Sequence, residues 1–438
     1  MWSWGRGVDG QGGCGDKRDH LGPTLIPSFG DEKGEKVVEA DGGLLHTLFL
    51  TESGNVFACG SGRRGQLGTG RDGSAIASAL PMEVPHFAAH GGAAHVCAGA
   101  LSSYCLASDG QVFAWGCGKQ GRLGLGTDAT RRIPTPILLL GPKQRVVQIA
   151  AGSAHALALT LAGGLYSWGC NSKGQLGLGD TRNRSSPCLL EHLGWGRNCV
   201  PTYIAAGAFH SGAVVRGFET AKDCKEADSS FGDVANQDVF TWGLGDERLG
   251  LVLSEKELVA DLGIVLLPSE SETAKNITSP CLVLGLRGKG VAQIALGTEH
   301  GMAIADGGLG GEDRTKTSYS VVYVWGKNSY GQLGMRDTIS RPSPVLLKQV
   351  TNVVSIKAGA RFSMALTMNG NLFTWGDGMY GQNGHGDKMV RTLPHEIDFC
   401  KNANPKAAPM MRKVSAIAAG QHHGIAVTTL GTHWMGYR

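Results

Sequence analysis

Gly118-Lys-Gln-Gly-Arg-Leu-Gly-Leu-Gly126 opens a unit that decides the fold, and Gly164-Leu-Tyr-Ser-Trp-Gly169 closes it. Between them run Pro134-Thr-Pro-Ile-Leu-Leu-Leu, then Val146-Val-Gln-Ile-Ala-Ala-Gly, then Ser153-Ala-His155-Ala-Leu-Ala-Leu-Thr. These are four short apolar or alternating runs separated by Gly, Asp or Asn turns, the signature of strands and hairpins. No segment keeps a 3.6-residue period long enough for a helix.

The unit recurs. Its closing Gly falls at Gly5, Gly60, Gly116, Gly169, Gly243, Gly326, Gly376 and, in degenerate form, Gly436. Eight markers bound seven units, approximately 6–60, 61–116, 117–169, 170–243, 244–326, 327–376 and 377–436. Four antiparallel strands repeated seven times predict an all-β, seven-bladed β-propeller spanning 1–438 as one domain. A blade cannot bury its own faces, so the blades must stack. Trp2-Ser3-Trp4-Gly5 is a Trp-Gly strand with no unit before it. Either it pairs with the last unit and locks the ring, or His433-Trp434-Met-Gly436 does.

Composition agrees. Gly supplies 68 of 438 residues, about twice the usual share, without the Gly-X-Y period of collagen. The net charge of +4 is too mild for a nucleic-acid binder. Eleven scattered cysteines without a CxxC pair read as reduced thiols in an intracellular protein. No apolar run reaches the length of a membrane span, and the repeat begins too early to leave room for a presequence. Soluble and monomeric is the expectation, with nucleus and cytoplasm left open.

Three insertions interrupt the repeat, at 216–237, 246–275 and 306–320. The first is acidic, with Asp223, Glu226 and Asp228, and the second contains Ser254-Glu-Lys-Glu-Leu-Val-Ala-Asp-Leu-Gly, compatible with a short helix. Long loops in compact domains are functional or disordered.

Catalytic motifs are not found. Gly-x-Gly-x-x-Gly occurs at Gly5–Gly10, Gly60–Gly65, Gly116–Gly121 and Gly376–Gly381, but each match leads into another Gly turn and a Pro-flanked strand rather than a helix. There is no phosphate-binding Gly-x4-Gly-Lys-Ser/Thr loop and no Gly-x-Ser-x-Gly elbow. His422, His423 and His433 lack a Cys or carboxylate at ligand spacing. No enzyme chemistry, cofactor or metal is expected.

Gly65-Gln-Leu-Gly, Gly174-Gln-Leu-Gly-Leu-Gly and Gly331-Gln-Leu-Gly, with Ala151-Gly-Ser-Ala-His155, Ala206-Gly-Ala-Phe-His210 and five Trp-Gly steps, resemble the repeat of the regulator of chromosome condensation family. The resemblance covers nearly the whole chain and implies a seven-bladed propeller. It also implies two precedents: a founding member that exchanges guanine nucleotide on the small GTPase Ran and binds chromatin, and a plant UV-B sensor with Trp in Gly-Trp-Arg-His-Thr loops. Both use the face carrying Gly-x-x-His loops.

In this chain those loops begin at Gly43, Gly99, Gly152, Gly207, Gly297, Gly359 and Gly420. Leu44, Ala100, Ser153, Ala208, Thr298, Ala360 and Gln421 stand where the photoreceptor resemblance would place Trp. UV-B sensing is therefore rejected. The founding member's basic chromatin-binding tail has no counterpart, so direct nucleic-acid binding is not expected either. The reading is a protein-interaction propeller that binds its partner through one face, with nucleotide exchange on a Ran-like small GTPase as the alternative. Candidate contacts are Glu299, His300, Arg361, His422 and His423 in the loops, with Asp223, Glu226 and Asp228 in the insertion. A His recurring at one phase also has a structural reading, bonding nearby backbone. Glu299, Arg361 and His422 are not explained by the repeat.

Overall fold

The computed structural model describes residues 1–29, 35–70, 77–190, 199–217, 237–251, 276–307, 319–399 and 413–429. Seven four-stranded antiparallel sheets stand in a ring, the all-β propeller expected. Blade 3 shows the pattern: an inner strand Val146–Ala151, a second His155–Thr160, a third Leu165–Gly169 and an outer Arg184–Leu189. Blades 1 and 2 span 37–84 and 93–136, and blades 4, 5 and 6 span 200–282, 291–351 and 353–396. The sheets are thus cut from the repeat one strand later than the Trp-Gly markers suggest, because the strand after Trp-Gly is the outer edge of the same blade.

Blade 7 closes the ring. Its two inner strands, Lys413–Ala419 and His423–Thr429, come from one end of the chain, and Trp2–Gly5 and His20–Leu25 complete it from the other. Trp2 pairs with Ala426 and Gly5 with His423. Trp2-Ser3-Trp4-Gly5 is therefore a locking strand. His433–Gly436 lies outside the described residues.

The core lies between blades. Leu157, Leu159 and Leu165 of blade 3 pack on Ile204, Ala213 and Trp242 of blade 4. The second strand of each blade is sandwiched from both sides, so His155–Thr160 is buried at every position and Ala156–Leu159 within it is an unbroken apolar run.

Each junction is also latched by a hydrogen bond to one main-chain carbonyl. The Trp of Trp-Gly reaches back to the Gln-Leu-Gly turn of the preceding blade: Trp115 Nε1 donates to Gln66 O at 3.0 Å, Trp242 to Gln175 O at 2.9 Å and Trp375 to Gln332 O at 2.8 Å. Trp4 does the same to Gln382 O at 2.9 Å. Arg replaces Gln in two turns, and Trp168 and Trp325 then donate to Arg122 O and Arg248 O. These indoles are fully buried, so each N–H must find an acceptor. The Gly after Trp is obligatory for a local reason. Gly169 has φ +104°, and a Cβ there would lie 2.4 Å from Ala154 O.

Among the described residues no helix is long and apolar enough to cross a membrane.

Candidate functional site

The seven loops, five ending in His and two in Ser102 and Phe362, join inner to second strands and gather at one end of the axis. Each closes on itself, as in Gly43 N to His46 O and Gly152 N to His155 O, both 2.9 Å. Neighbouring loops are stitched by main-chain bonds, among them Leu44 N to Ala100 O, Ala208 N to Gly297 O and Gln421 N to Gly43 O. Beneath the collar lies a cavity of about 190 Å³ along the axis, lined by the inner strands and containing Asp41 and Lys357. Asp41 is committed to the backbone, accepting from Ala98 N and Gly42 N.

The loop histidines point down into the blade junctions. His46, His155, His300 and His423 are 0–1% exposed. His46 Nε2 lies 2.9 Å from Ser103 Oγ of the next blade, His155 from Ser211, His300 from Ser363, and His423 lies 2.8 Å from Thr47 Oγ1. Every one of those hydroxyls spends its proton on the Gln carbonyl that accounts for the latch: Ser103 on Gln66 O, Ser211 on Gln175 O, Ser363 on Gln332 O and Thr47 on Gln11 O, each 2.8 Å. The hydroxyl must therefore accept from His Nε2–H, which fixes the neutral tautomer. Burial pushes the imidazoles of His46, His155 and His300 down to about 4 and His423 to about 3. The loop Gly makes room for the ring. A Cβ on Gly152 would sit 2.3 Å from His155 Cε1.

This corrects two expected contacts. His300 and His423 are interior latch residues and present no surface to a partner. The remaining loop candidates do lie at the surface. Glu299 accepts from Lys327 Nζ at 3.0 Å and lies 3.7 Å from Arg361 Nε. Arg361 stacks its guanidinium 4.6 Å from the Tyr330 ring centroid and donates to Tyr330 OH at 3.1 Å. Partial burial raises the Glu299 carboxyl, but Lys327 and Arg361 outweigh it, and the group ends below its ordinary range. His422 packs edge-on against Tyr380 at 5.3 Å, and Arg6 lies 5.1 Å from the centre of that same ring. Burial, with Arg6 and Arg361 nearby, lowers the His422 imidazole although Asp377 opposes them.

Glu299, Arg361 and His422 thus belong to one polar, aromatic-braced sector running from blade 5 to blade 7. Lys327, Tyr330, Tyr380 and Arg6, which sequence reasoning missed, come from the turns after Trp-Gly. Those turns share this face because third-to-outer connections emerge where inner-to-second connections do. The signal was present: Tyr330 and Tyr380 stand before the turn Gly where other copies carry Arg64 or Lys173.

Asp223, Glu226 and Asp228 lie outside the described residues. Their insertion leaves Arg216 and returns at Gln237, between second and third strands, so it is anchored on the opposite face. The insertion around 306–320 is anchored on that opposite face as well. The insertion around 246–275 joins Gln237–Gly243 to Ile277–Leu282 and is anchored on the loop face. No cluster of metal-ligating side chains occurs among the described residues.

Comparison with known proteins fits this geometry. The family model described as "Regulator of chromosome condensation (RCC1) repeat" matches residues 1–50, 53–106, 109–159, 162–214, 321–366 and 369–427. The stretch it leaves out holds the outer half of blade 4, the inner half of blade 5 and all three insertions. Among curated proteins the chain is 30% identical to the Ultraviolet-B receptor UVR8 of Arabidopsis thaliana over 402 residues, covering 90% of this chain and 77% of UVR8. It is 28% identical to the human E3 ubiquitin-protein ligase HERC2 across 95% of its own length but only 8% of that protein. Among solved structures, Prp20p from Saccharomyces cerevisiae superposes with a TM-score of 0.74 at 21% identity, covering 98% and 91% of the two chains. Human WBSCR16 does so at 0.72 and 20%, covering 98% and 99%.

Proposed function

The chain belongs to the regulator of chromosome condensation (RCC1) repeat family, and from that premise we propose that it is a protein-binding propeller whose Gly-x-x-His face engages a protein partner. The observation that carries the reading is the sector around Glu299, Lys327, Arg361 and His422. Its charged groups are held in place by Tyr330 and Tyr380 at positions where the repeat itself demands none of them. Pre-positioned charged and aromatic side chains on a rigid face are what a binding hot spot requires.

Nucleotide exchange on a Ran-like small GTPase is the second reading. It is favoured by the fold shared with Prp20p, whose structure was described together with its binding to Gsp1p and histones. Exchange needs shape and charge on one face, which this sector supplies. Light sensing by the UVR8 route gains no support. The described tryptophans are buried, and six of them, Trp4, Trp115, Trp168, Trp242, Trp325 and Trp375, latch blades.

Release of a fluorescent guanine nucleotide from Ran and related GTPases separates the two readings. Acceleration that disappears in the Glu299→Ala, Arg361→Ala, His422→Ala triple variant establishes exchange through this sector. Release at the intrinsic rate throughout removes the exchange reading and leaves the binding reading. That reading is tested by comparing proteins co-purified with the parent and with the triple variant, and it fails when the two sets are the same.

A further inference from the structure

Arg122 and Arg248 occupy the same place in two copies of the turn, where Gln11, Gln66, Gln175, Gln332 and Gln382 stand in the others. Each Gln closes its turn by accepting an N–H two residues back, as Gln66 Oε1 does from Arg64 N at 2.9 Å and Gln175 Oε1 from Lys173 N at 2.8 Å. Replacing Gln by Arg puts a cation into that buried niche. In blade 4 the cation is neutralised, with Arg248 Nε 2.6 Å from Asp246 Oδ1. In blade 2 it is not. Arg122 is 7% exposed, yet its guanidinium meets only neutral acceptors: Lys119 O at 2.9 Å, Ser153 O at 3.1 Å and the Gln120 amide oxygen at 3.2 Å. Where Arg248 has Asp246, Arg122 has Gln120. No carboxylate lies within ion-pair distance of Arg122 among the described residues.

A buried charge without a counter-ion is costly, and a counter-charge brought from outside would lower that cost. The surroundings add to the imbalance. Lys119, whose carbonyl accepts from Arg122 Nε, is exposed in the same turn, and Arg63 and Arg64 stand on the corresponding turn of blade 1. These have no ion pair among the described residues. Three acids of the outer rim, Asp180, Asp337 and Asp387, are paired with their own Arg184, Arg341 and Arg391 at 2.7–2.8 Å. We infer that the junction of blades 2 and 3 is an anion subsite on the partner-binding face, built from Arg122 and Lys119, and that it takes a carboxylate side chain from an acidic segment of the protein partner. The partner's carboxylate supplies the counter-charge that Asp246 provides within the chain at Arg248. This inference rests on the face being the binding face and adds the chemistry of what binds there.

The test is fluorescence anisotropy of a labelled decaglutamate peptide with the full chain, at fixed ionic strength. Arg122→Gln installs the residue that five other copies already carry, so the fold is kept. It weakens peptide binding about tenfold or more, the effect of losing a charge-assisted bond. Arg248→Gln, which removes a cation that is already paired, leaves binding unchanged. Gln120→Glu, which gives Arg122 an internal carboxylate, weakens the peptide as Arg122→Gln does. Inorganic phosphate at the same ionic strength does not displace it.

The inference is overturned by no binding to the parent, by equal losses in Arg122→Gln and Arg248→Gln, or by an unaffected Arg122→Gln. Displacement of the peptide by phosphate also overturns it, as the mark of a phosphate site. Failure here is distinguishable from failure of the face reading. In the first case the Glu299, Arg361, His422 variant still loses its partner, and in the second it keeps it.

Discussion

The junction of blades 3 and 4 and the junction of blades 4 and 5 use the same motif and reach different ends. In the first, His155 donates to Ser211, Ser211 and Trp242 both donate to Gln175 O, and only the bare Nδ1 of the ring and the Gln175 Nε2 are left without a partner among these groups. In the second, His210 is equally buried, but Gly301 stands where Ser211 would have its counterpart. Both ring nitrogens of His210 are without a partner. The space is taken by an indole, since a Cβ on Gly301 would lie 2.4 Å from Trp325. The junction of blades 6 and 7 meets the same situation differently. Gly424 presses on Trp4 in the same way, and the loop residue is Phe362. Glycine against tryptophan suits an apolar ring, so His210 has kept the letter of the repeat after its interaction was lost.

The largest expected effect breaks every such junction together. The latch histidines are held neutral well below the ordinary value of about 6.5. Unfolding raises their proton affinity, so their contribution is complete above pH 6.5 and is lost as pH falls from there toward 4. The loss approaches about 1.4 kcal/mol per pH unit for each histidine. Thermal unfolding across this range should show a steep acid limb, and a flat profile between pH 6.5 and 4 contradicts the latch. Trp242→Ala comes next, with a cost of about 3–5 kcal/mol from the cavity the indole leaves, Gln175 O keeping Ser211 as its donor. Denaturant midpoints with an unchanged slope would verify it. The smallest effects sharpen the contrast most. His155→Phe should destabilise by about 1–3 kcal/mol because Ser211 loses its donor. His210→Phe, which copies the Phe362–Gly424 pair, should be neutral or stabilising by up to about 1 kcal/mol. Equal losses in both variants would mean that His210 has a partner after all.

The blade count and the Trp-Gly phase were legible because they are local and recur at one spacing. The His–hydroxyl pairs were not, because the hydroxyl belongs to the next copy, 57 residues from His46 and 56 from His155. The trace is visible once the copies are shifted by one. Ser103, Ser211, Ser363 and Thr47 follow loops whose predecessor ends in His, whereas Ala156 follows Ser102 and Gly424 follows Phe362. Singling out Glu299, Arg361 and His422 as departures from the repeat found positions that the fold does bring to one sector. The same criterion applied to the turns would have added Tyr330 and Tyr380. Arg122 escaped notice because its peculiarity is a missing neighbour, which no single position reveals.

The locking strand has a consequence for how the molecule is made. Trp2–Gly5 can pair early with His20–Leu25, but its other edge is met only by His423–Thr429, so its place in the ring waits for more than four hundred residues of synthesis. At about 5–20 residues per second that is roughly 20–80 s during which Trp2 and Trp4 have no blade to enter. Six blades are each cut from one continuous stretch and can close in order, but the seventh joins segments more than four hundred residues apart and cannot close until both have been made.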